Sequence, residues 1–490
     1  MSFKRKIAYN TIVQIIGKAI VTILSVFITI LLTRYLGPSG YGQYNIAITF
    51  VGFFVVLADL GVYPILIREM SQHPENREKI YGNVVVYRTF SALLTMGLAF
   101  LIGFLMPYPD IVKFAIGIYA IATFVSLLSG LVMAVFQINY RMDLPTITDV
   151  LGRALYLLIL FFAIQKGYSL YGIFWLLVIT SVFNLVLNLI LGRRYIKLKP
   201  SFDLSFMKSF WKESLPLGLA TILGLIHFKI DTILLSVMKP SFDVGLYGAS
   251  YRVFENLIVI PSIFVGLIFP KISELYFKDK ESFVRIFQKT INVLVMMVLP
   301  IIIIFYFLAP NLIQIIAGNK FYGAILPLRI LLFSLFATFL IGIFSYSLIA
   351  AKKQVVLIYV WLVISIVNII LNLIFIPKYS YQGAAATTVA TEILTLVALY
   401  ILVNKSLNIK PKFDYLFKAI FPSLILGAGF YFLSKSQIFR LADFASERLI
   451  IQVPVVIIAL LLGLFAFLIL LLLFKVIKKN EILEIIKIKQ

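Results

Sequence analysis

Charged side chains stand inside long apolar stretches of this chain, and they are the groups whose types and spacing could do chemistry. Where such a stretch crosses a bilayer, an ionised side chain costs about 2.5 kcal/mol or more, so it should line a wet cavity or have a partner. Such groups can bind an anion, exchange a proton or hold an alkali cation. They are Lys18, Asp59, Arg88, Asp149, Arg153, Lys229, Asp231, Arg252, Glu255, Arg329 and Glu392, with His227 beside them.

Some of these residues share a helix face. Asp149 and Arg153 are spaced i,i+4, and Arg252 and Glu255 are spaced i,i+3, which places each pair on one side of a helix. His227 and Asp231 are likewise spaced i,i+4, so each of these pairs can interact within a single helix.

Other residues are predicted to share a depth across a hairpin, because both helices rise by the same amount per residue from one membrane surface. Asp231 and Arg252 lie at similar numbers of residues from a loop centred near residue 242, and so do Lys229 and Glu255. Counted from a loop near residue 39, Lys18 matches Asp59. Two acid–base pairs can therefore meet between α-helices of one hairpin, and Lys18 with Asp59 is a third candidate pair.

Two interpretations of these charges remain open: closed ion pairs or snorkelling side chains, and groups that line a wet central cavity. Arg88 and Asp149 lie near helix ends, which favours a closed ion pair or a snorkelling side chain. For Asp59 and Arg329 the position favours neither interpretation. His227 is interpreted as a polar bystander and not a metal ligand. Greater depth favours the cavity for the others, namely Lys18, Arg153, Lys229, Asp231, Arg252, Glu255 and Glu392.

Catalytic and cofactor motifs are missing from the sequence. There is no cysteine, there are two histidines, and no phosphate-binding loop, Gly-x-Ser-x-Gly elbow or His-Glu-x-x-His helix occurs. We expect no catalytic residue, no metal and no bound cofactor, so that uphill movement of a substrate would need a Na+ or H+ gradient, the membrane potential or consumption of product.

The composition explains which elements must position these groups. Of the 490 residues 62% are apolar and 13% are charged, and the mean hydropathy is +1.04, which excludes an ordinary soluble domain. The net charge of +23 does not indicate a nucleic-acid partner, because the basic residues are scattered through short loops. The sequence predicts an all-α polytopic membrane protein.

Fourteen stretches are long enough to cross the membrane as helices. They lie near residues 7–32, 42–66, 84–106, 112–137, 145–165, 168–192, 213–238, 246–269, 286–308, 323–350, 355–376, 382–403, 414–433 and 449–474. With both termini inside, the inside segments carry 29 lysines and arginines and the outside segments 9, which predicts a multi-pass protein of the cytoplasmic membrane with cytoplasmic termini.

An internal duplication is indicated by two repeated motifs. Pro38-Ser39 followed by Gly42-Gln43-Tyr44 recurs as Pro240-Ser241 followed by Gly245-Leu246-Tyr247, and Tyr168-Ser169 recurs as Tyr379-Ser380. An even number of helices in each half predicts two parallel six-helix bundles. The predicted domains are residues 1–200 for helices 1–6, residues 201–410 for helices 7–12, and residues 411–490 for two accessory helices and a basic cytoplasmic tail.

The chain resembles the polysaccharide-type, or Wzx-like, flippases of the multidrug/oligosaccharidyl-lipid/polysaccharide exporter superfamily. The resemblance covers about residues 4–475. The motifs that carry it are Arg34-Tyr35-Leu36-Gly37-Pro38, Gly42-Gln43-Tyr44, Asp59-Leu60-Gly61, Leu215-Pro216-Leu217, Asp231-Thr232-Ile233-Leu234-Leu235, Gly245-Leu246-Tyr247, Ile376-Pro377-Lys378-Tyr379 and Gly383-Ala384-Ala385.

This resemblance implies two lobes in a V around a central cavity, and alternating access that carries a polyprenyl-pyrophosphate-linked oligosaccharide to the outer leaflet. Relatives use cationic cavity residues for the pyrophosphate and acidic ones for ion coupling, and only Asp59 and Asp231 lie in matched motifs. By chemistry and depth the candidates for the anionic head are Lys18, Arg153, Lys229, Arg252 and Arg329, and those for Na+ or H+ coupling or cavity ion pairs are Asp59, Asp231, Glu255 and Glu392. Expected partners are membrane lipids, the lipid-linked substrate and possible glycan polymerases or glycosyltransferases, but no nucleic acid.

Three alternatives stay open. A multidrug/cation antiporter of the same superfamily would have an acidic cavity with few lysines, whereas this set of charges leans basic. A lipid-linked peptidoglycan-precursor flippase is the second alternative. A membrane-embedded glycan polymerase or ligase is disfavoured, because the longest loop, around residues 193–212, is too short to fold as a domain.

Overall fold

The computed structural model describes residues 3–197, 199–435 and 449–476, and these residues form α-helices and short 3-10 turns, with no strand among them. The helices are α1 (Phe3–Asp59), α2 (Val62–Gln72), α3 (Arg77–Leu105), α4 (Asp110–Ile138), α5 (Asp143–Gln165), α6 (Leu170–Gly192), α7 (Leu204–Met238), α8 (Ser241–Lys278), α9 (Lys280–Ala317), α10 (Ile325–Ala350), α11 (Gln354–Leu407), α12 (Asp414–Lys435) and α13 (Leu449–Leu473). Outside the described residues lie Arg440 and Arg448, the predicted tail beyond residue 476, and the side chain of His227.

Eleven helical segments of the described chain are long and apolar enough to cross a membrane, so this is a multi-pass membrane protein. Two helices are far longer than one crossing: α1 has 57 residues and α11 has 54. At 1.5 Å per residue each spans roughly 80 Å, against a hydrocarbon core of about 30 Å. Each is broken at one residue, Gly37 (φ 63°) and Ser380 (φ 49°), so the predicted loops there are sharp breaks that divide a helix into two arms.

The second predicted span, residues 42–66, ends earlier than expected. Leu60 and Gly61 both have left-handed backbone conformations, with φ of 37° and 78°, and they end α1 at Asp59. The 11-residue α2 that follows is too short to cross a membrane. It buries Leu66 and Met70 instead, in an apolar cluster with α3 and α4.

The described helices divide into two compact units, residues 1–245 and residues 246–490. In the first unit α7 packs on α1, α2 and α3. In the second unit α9 packs on α10, α12 and α13. The predicted domain boundaries at residues 200 and 410 concern the duplicated halves and stay a prediction.

Candidate functional site

The carboxyl group of Glu392 lies near the middle of the second arm of α11 and is 3% exposed. The Thr338 hydroxyl on α10 donates a hydrogen bond of 3.0 Å to its Oε2. Thr388 and Thr395 are buried on the same face of α11, at i−4 and i+3 from Glu392. These neighbours are neutral hydroxyls, which can solvate either a protonated carboxyl or a bound cation.

A seam of amides extends this polar layer to the first arm of α11. Asn368 donates to the Thr391 hydroxyl at 3.3 Å, and Asn372 donates to Asn368 Oδ1 at 2.8 Å. Asn372 Oδ1 and Thr387 Oγ1 are buried without a hydrogen-bond partner. The seam thus keeps spare oxygen acceptors deep in the second unit.

The ion pair of Asp59 lies at the C-terminal end of α1. Arg88 of α3 is 5% exposed and places Nη2 2.8 Å from Asp59 Oδ1. Its Nη1 donates at 2.6 Å to the carbonyl of Ala58, a terminal carbonyl that the helix itself leaves unpaired. The structure therefore confirms the closed-pair interpretation of Arg88. The predicted partner Lys18 is exposed on α1, and none of the ion pairs among the described residues includes it.

Two further predicted pairs form within single helices. Arg153 Nε lies 3.8 Å from Asp149 Oδ1 on α5, and the two side chains are 46% and 52% exposed. Arg252 Nη1 lies 3.4 Å from Glu255 Oε2 on α8, with exposures of 41% and 29%. Both i,i+4 and i,i+3 predictions are confirmed, and both guanidinium groups stay substantially exposed.

The α7 residues Lys229 and Asp231 differ in exposure. Lys229 is half-buried, whereas Asp231 is 3% exposed and its Oδ1 accepts from the Thr232 amide at 2.7 Å. The pairings of these residues with Arg252 and Glu255 stay predictions.

Arg329 of α10 is engaged by α9. Its Nε donates to the carbonyl of Tyr306 at 3.1 Å, and its guanidinium carbon lies 4.9 Å from the centre of the Tyr306 ring. The usual helical donor to this carbonyl would be the amide of residue 310, but Pro310 has none. Arg329 therefore supplies the hydrogen bond that Pro310 removes, a role that the sequence interpretation missed.

An apolar groove of about 710 Å³ lies between α12 and α13. Its lining includes Leu426, Phe430, Leu433, Leu462 and Leu470, and Leu462 is itself exposed, so one side of the groove is open. Such a groove accommodates a hydrocarbon chain and offers nothing to a charged group.

No group of three or more His, Asp or Glu that could hold a metal ion occurs in the described ranges. The described residues combine a buried carboxyl that accepts from a threonine hydroxyl with exposed guanidinium groups on membrane-spanning helices. The chain belongs to the polysaccharide biosynthesis protein family, whose sequence profile matches residues 7–276.

Two similar proteins agree with this membership. The putative O-antigen transporter of Shigella flexneri is 23% identical over 361 residues, which cover 69% of this chain and 82% of that protein. The capsular polysaccharide biosynthesis protein CapF of Staphylococcus aureus is 24% identical over 275 residues, covering 54% and 68% of the two chains.

Solved structures share the fold. The lipid II flippase MurJ, in an inward closed conformation, superposes with a TM-score of 0.74 at 18% identity, covering 92% of this chain and 98% of that one. An inward-facing MATE family multidrug resistance transporter of the MOP superfamily gives 0.69 at 13% identity, covering 81% and 98%. At these identities the likeness establishes the fold alone. The predicted resemblance to Wzx-like flippases of this superfamily is confirmed.

Proposed function

We propose that this chain is a flippase that carries a polyprenyl-pyrophosphate-linked oligosaccharide from the cytoplasmic to the outer leaflet by alternating access, for surface glycan synthesis. The observation that carries the proposal is the exposure of Arg153 and Arg252 within membrane-spanning helices. A guanidinium that faces lipid costs several kcal/mol, at least about 2.5, so these groups face water. Fixed positive charge on the low-dielectric wall of a water-filled passage attracts a pyrophosphate group.

The relatives support this cargo. One is described as an O-antigen transporter and one as a capsular polysaccharide biosynthesis protein. No step of the proposed reaction makes or breaks a covalent bond, so the protein would not be an enzyme. The open groove between α12 and α13 is suited to the hydrocarbon part of such a substrate.

Transport of a fluorescent polyprenyl-pyrophosphate-linked oligosaccharide in proteoliposomes tests the function. Arg153→Gln and Arg252→Gln should each lower the transport rate at least tenfold. Arg285→Gln is the matched control, because Arg285 forms an i,i+4 pair with Glu281 at 3.2 Å but lies in the first turns of α9. Normal rates in both test variants would contradict the proposal.

The same vesicles discriminate between the alternatives. A lipid-linked peptidoglycan precursor and a lipophilic drug cation are offered in place of the oligosaccharide. Transport of the precursor alone would favour the peptidoglycan-precursor flippase, and uptake of the cation alone would favour the antiporter.

We further propose that Glu392 couples transport to Na+ or H+, because its buried carboxyl accepts a hydrogen bond from the Thr338 hydroxyl and shares a helix face with Thr388 and Thr395, and hydroxyl groups suit either ion. Glu392→Gln keeps the shape and the acceptor for Thr338 but removes the charge. Its transport rate should no longer respond to an imposed Na+ or pH gradient, whereas the unaltered protein should respond to one of them. Coupling at Asp59, Asp231 or Glu255 would leave the response of Glu392→Gln intact.

The proposed topology has fourteen crossings, with α7 as one of them, two related six-helix bundles, two accessory helices and both termini in the cytoplasm. A central cavity between the bundles stays a prediction. The chain has no cysteine, so single cysteines can be introduced and labelled with an impermeant maleimide. In intact cells Lys239→Cys should be labelled and Asn408→Cys protected, and the reverse result would invert the topology. Consumption of the product by a glycan polymerase on the outer side would give transport its direction.

A further inference from the structure

Helix α7 is longer than one membrane crossing. Its 35 residues, Leu204–Met238, extend roughly 52 Å at 1.5 Å per residue, whereas a hydrocarbon core is about 30 Å thick. Counted back from Met238, about 20 residues fill the hydrocarbon. In the proposed topology, in which α7 crosses the membrane, its first turns lie in the headgroup layer, on the face that the count of lysines and arginines assigns to the cytoplasm.

One face of these first turns is fixed to the protein. Phe206 and Phe210 pack against the apolar cluster that includes Leu66, Ile80 and Leu131. Their spacing of four residues places them on one side of the helix. The opposite side of α7 is consequently turned away from this apolar cluster.

That opposite side carries a mixed stripe of apolar and basic residues. Leu204 is 72% exposed, and Lys208, Trp211 and Lys212 follow it at helical spacing, also exposed. Phe202, just before the helix, is 65% exposed. The Trp211 indole N–H donates to the Tyr87 hydroxyl, which holds the ring in place. We call Phe202, Leu204, Lys208, Trp211 and Lys212 the interfacial stripe.

The charges around the stripe divide into two sets. The acidic residues are engaged by other cations: Asp203 lies 3.1 Å from Lys79, and Glu213 pairs with Arg68. Lys208 and Lys212 take part in none of the ion pairs among the described residues. The cations of the stripe are thus available to an external anion.

We propose that the interfacial stripe is a docking surface for anionic phospholipids of the cytoplasmic leaflet. Phe202, Leu204 and Trp211 enter the boundary between headgroups and acyl chains, and Lys208 and Lys212 contact the lipid phosphates. This combination of basic and aromatic side chains on one helix face is the chemistry that recognises an anionic membrane surface. The proposal does not depend on the transported substrate, because the stripe is built on the side of α7 opposite its packing face.

The test is quenching of Trp211 fluorescence by brominated lipids in vesicles without oligosaccharide substrate. The protein contains three tryptophans, so Trp175→Phe with Trp361→Phe leaves Trp211 alone. The vesicles contain phosphatidylcholine with an equal mole fraction of phosphatidylglycerol, and either one or the other lipid is brominated. Brominated phosphatidylglycerol should quench more strongly, with a preference of about fivefold for each lysine.

Substitutions decide whether the lysines cause this preference. Lys208→Gln with Lys212→Gln should abolish it, and Lys208→Arg with Lys212→Arg should keep it. Lys405→Gln with Lys410→Gln is the matched control, since it removes two exposed charges on the same predicted face, away from the stripe. Equal quenching by the two brominated lipids in the unaltered stripe would overturn the proposal, as would a preference that survives loss of both lysines.

Discussion

Gly42 of α1 and Gly245 of α8 meet at a crossing of the two backbones, and the contact is reciprocal. A Cβ atom at Gly42 would overlap the carbonyl oxygen of Ser241, and one at Gly245 would overlap that of Pro38. Pro38 and Gly42 occupy in the first sequence repeat the positions that Pro240-Ser241 and Gly245 occupy in the second. The two copies of the motif thus contact each other through glycines that let the backbones approach.

Gly42→Ala should destabilise the protein, because the new Cβ would overlap a backbone carbonyl that cannot rotate away. Overpacking of this kind typically costs about 1–3 kcal/mol. The thermal unfolding midpoint in detergent is the measurement, and it should fall. Gly52→Ala is the control on the same helix, since its Cβ would meet no atom within 4 Å. Equal midpoints for the two variants would mean that the crossing tolerates a methyl group.

The single variant Arg88→Met should be less stable than the double variant that carries both Arg88→Met and Asp59→Asn. The single change leaves the half-buried Asp59 carboxylate and the Ala58 carbonyl without their donor, at a cost of about 1–3 kcal/mol in the free energy of unfolding. Neutralising Asp59 as well removes the stranded charge. Unfolding midpoints of the two variants and of Asp59→Asn alone form a double-mutant cycle.

Transport measured on the same variants separates structure from coupling. If the pair is structural, transport per folded molecule should survive in the double variant. An Asp59→Asn protein that is fully stable but transports nothing would instead make Asp59 a coupling group.

Arg329→Ala should lower the free energy of unfolding by about 1–3 kcal/mol, because it leaves the part-buried carbonyl of Tyr306 without a donor. In a Pro310→Ala background the amide of residue 310 can donate to that carbonyl, so the same substitution should cost clearly less. Unfolding midpoints of the four proteins give the coupling between the two sites. If Arg329 also binds the anionic head, transport will fall equally in both backgrounds.

Pairs within one helix were predictable because helical spacing alone sets them. The pairs Asp149–Arg153 and Arg252–Glu255 depend on the helical repeat and nothing else, and both form. The apolar spans were predictable for the same reason: burial in lipid requires a minimum apolar length, which can be counted.

Contacts between helices were harder to predict, because depth counting assumes two straight helices from one hairpin. The assumption does not hold at Asp59, because the left-handed residues Leu60 and Gly61 end α1 there. The cation that pairs with Asp59 is Arg88 of α3. For Arg329 a signal existed, since Pro310 leaves the Tyr306 carbonyl without a donor. The sequence could not show that α10 brings a guanidinium to that point.

Asp203, immediately before α7, should give the protein a transition at acid pH. Hydrogen bonds from the Phe206 amide, Lys79 and Ser205 hold the pKa of its carboxyl below the ordinary value of 3.8. Because the pKa is lowered in the folded state, the ionised Asp203 cap stabilises that state above pH 3.8. This stabilisation is lost as the pH falls through the pKa that the carboxyl has in the folded protein. Fluorescence of Trp211 in the single-tryptophan protein should therefore change with a midpoint below pH 3.8. Asp203→Asn cannot titrate and should lack this transition, whereas a midpoint unaffected by that change would assign it to another carboxyl group.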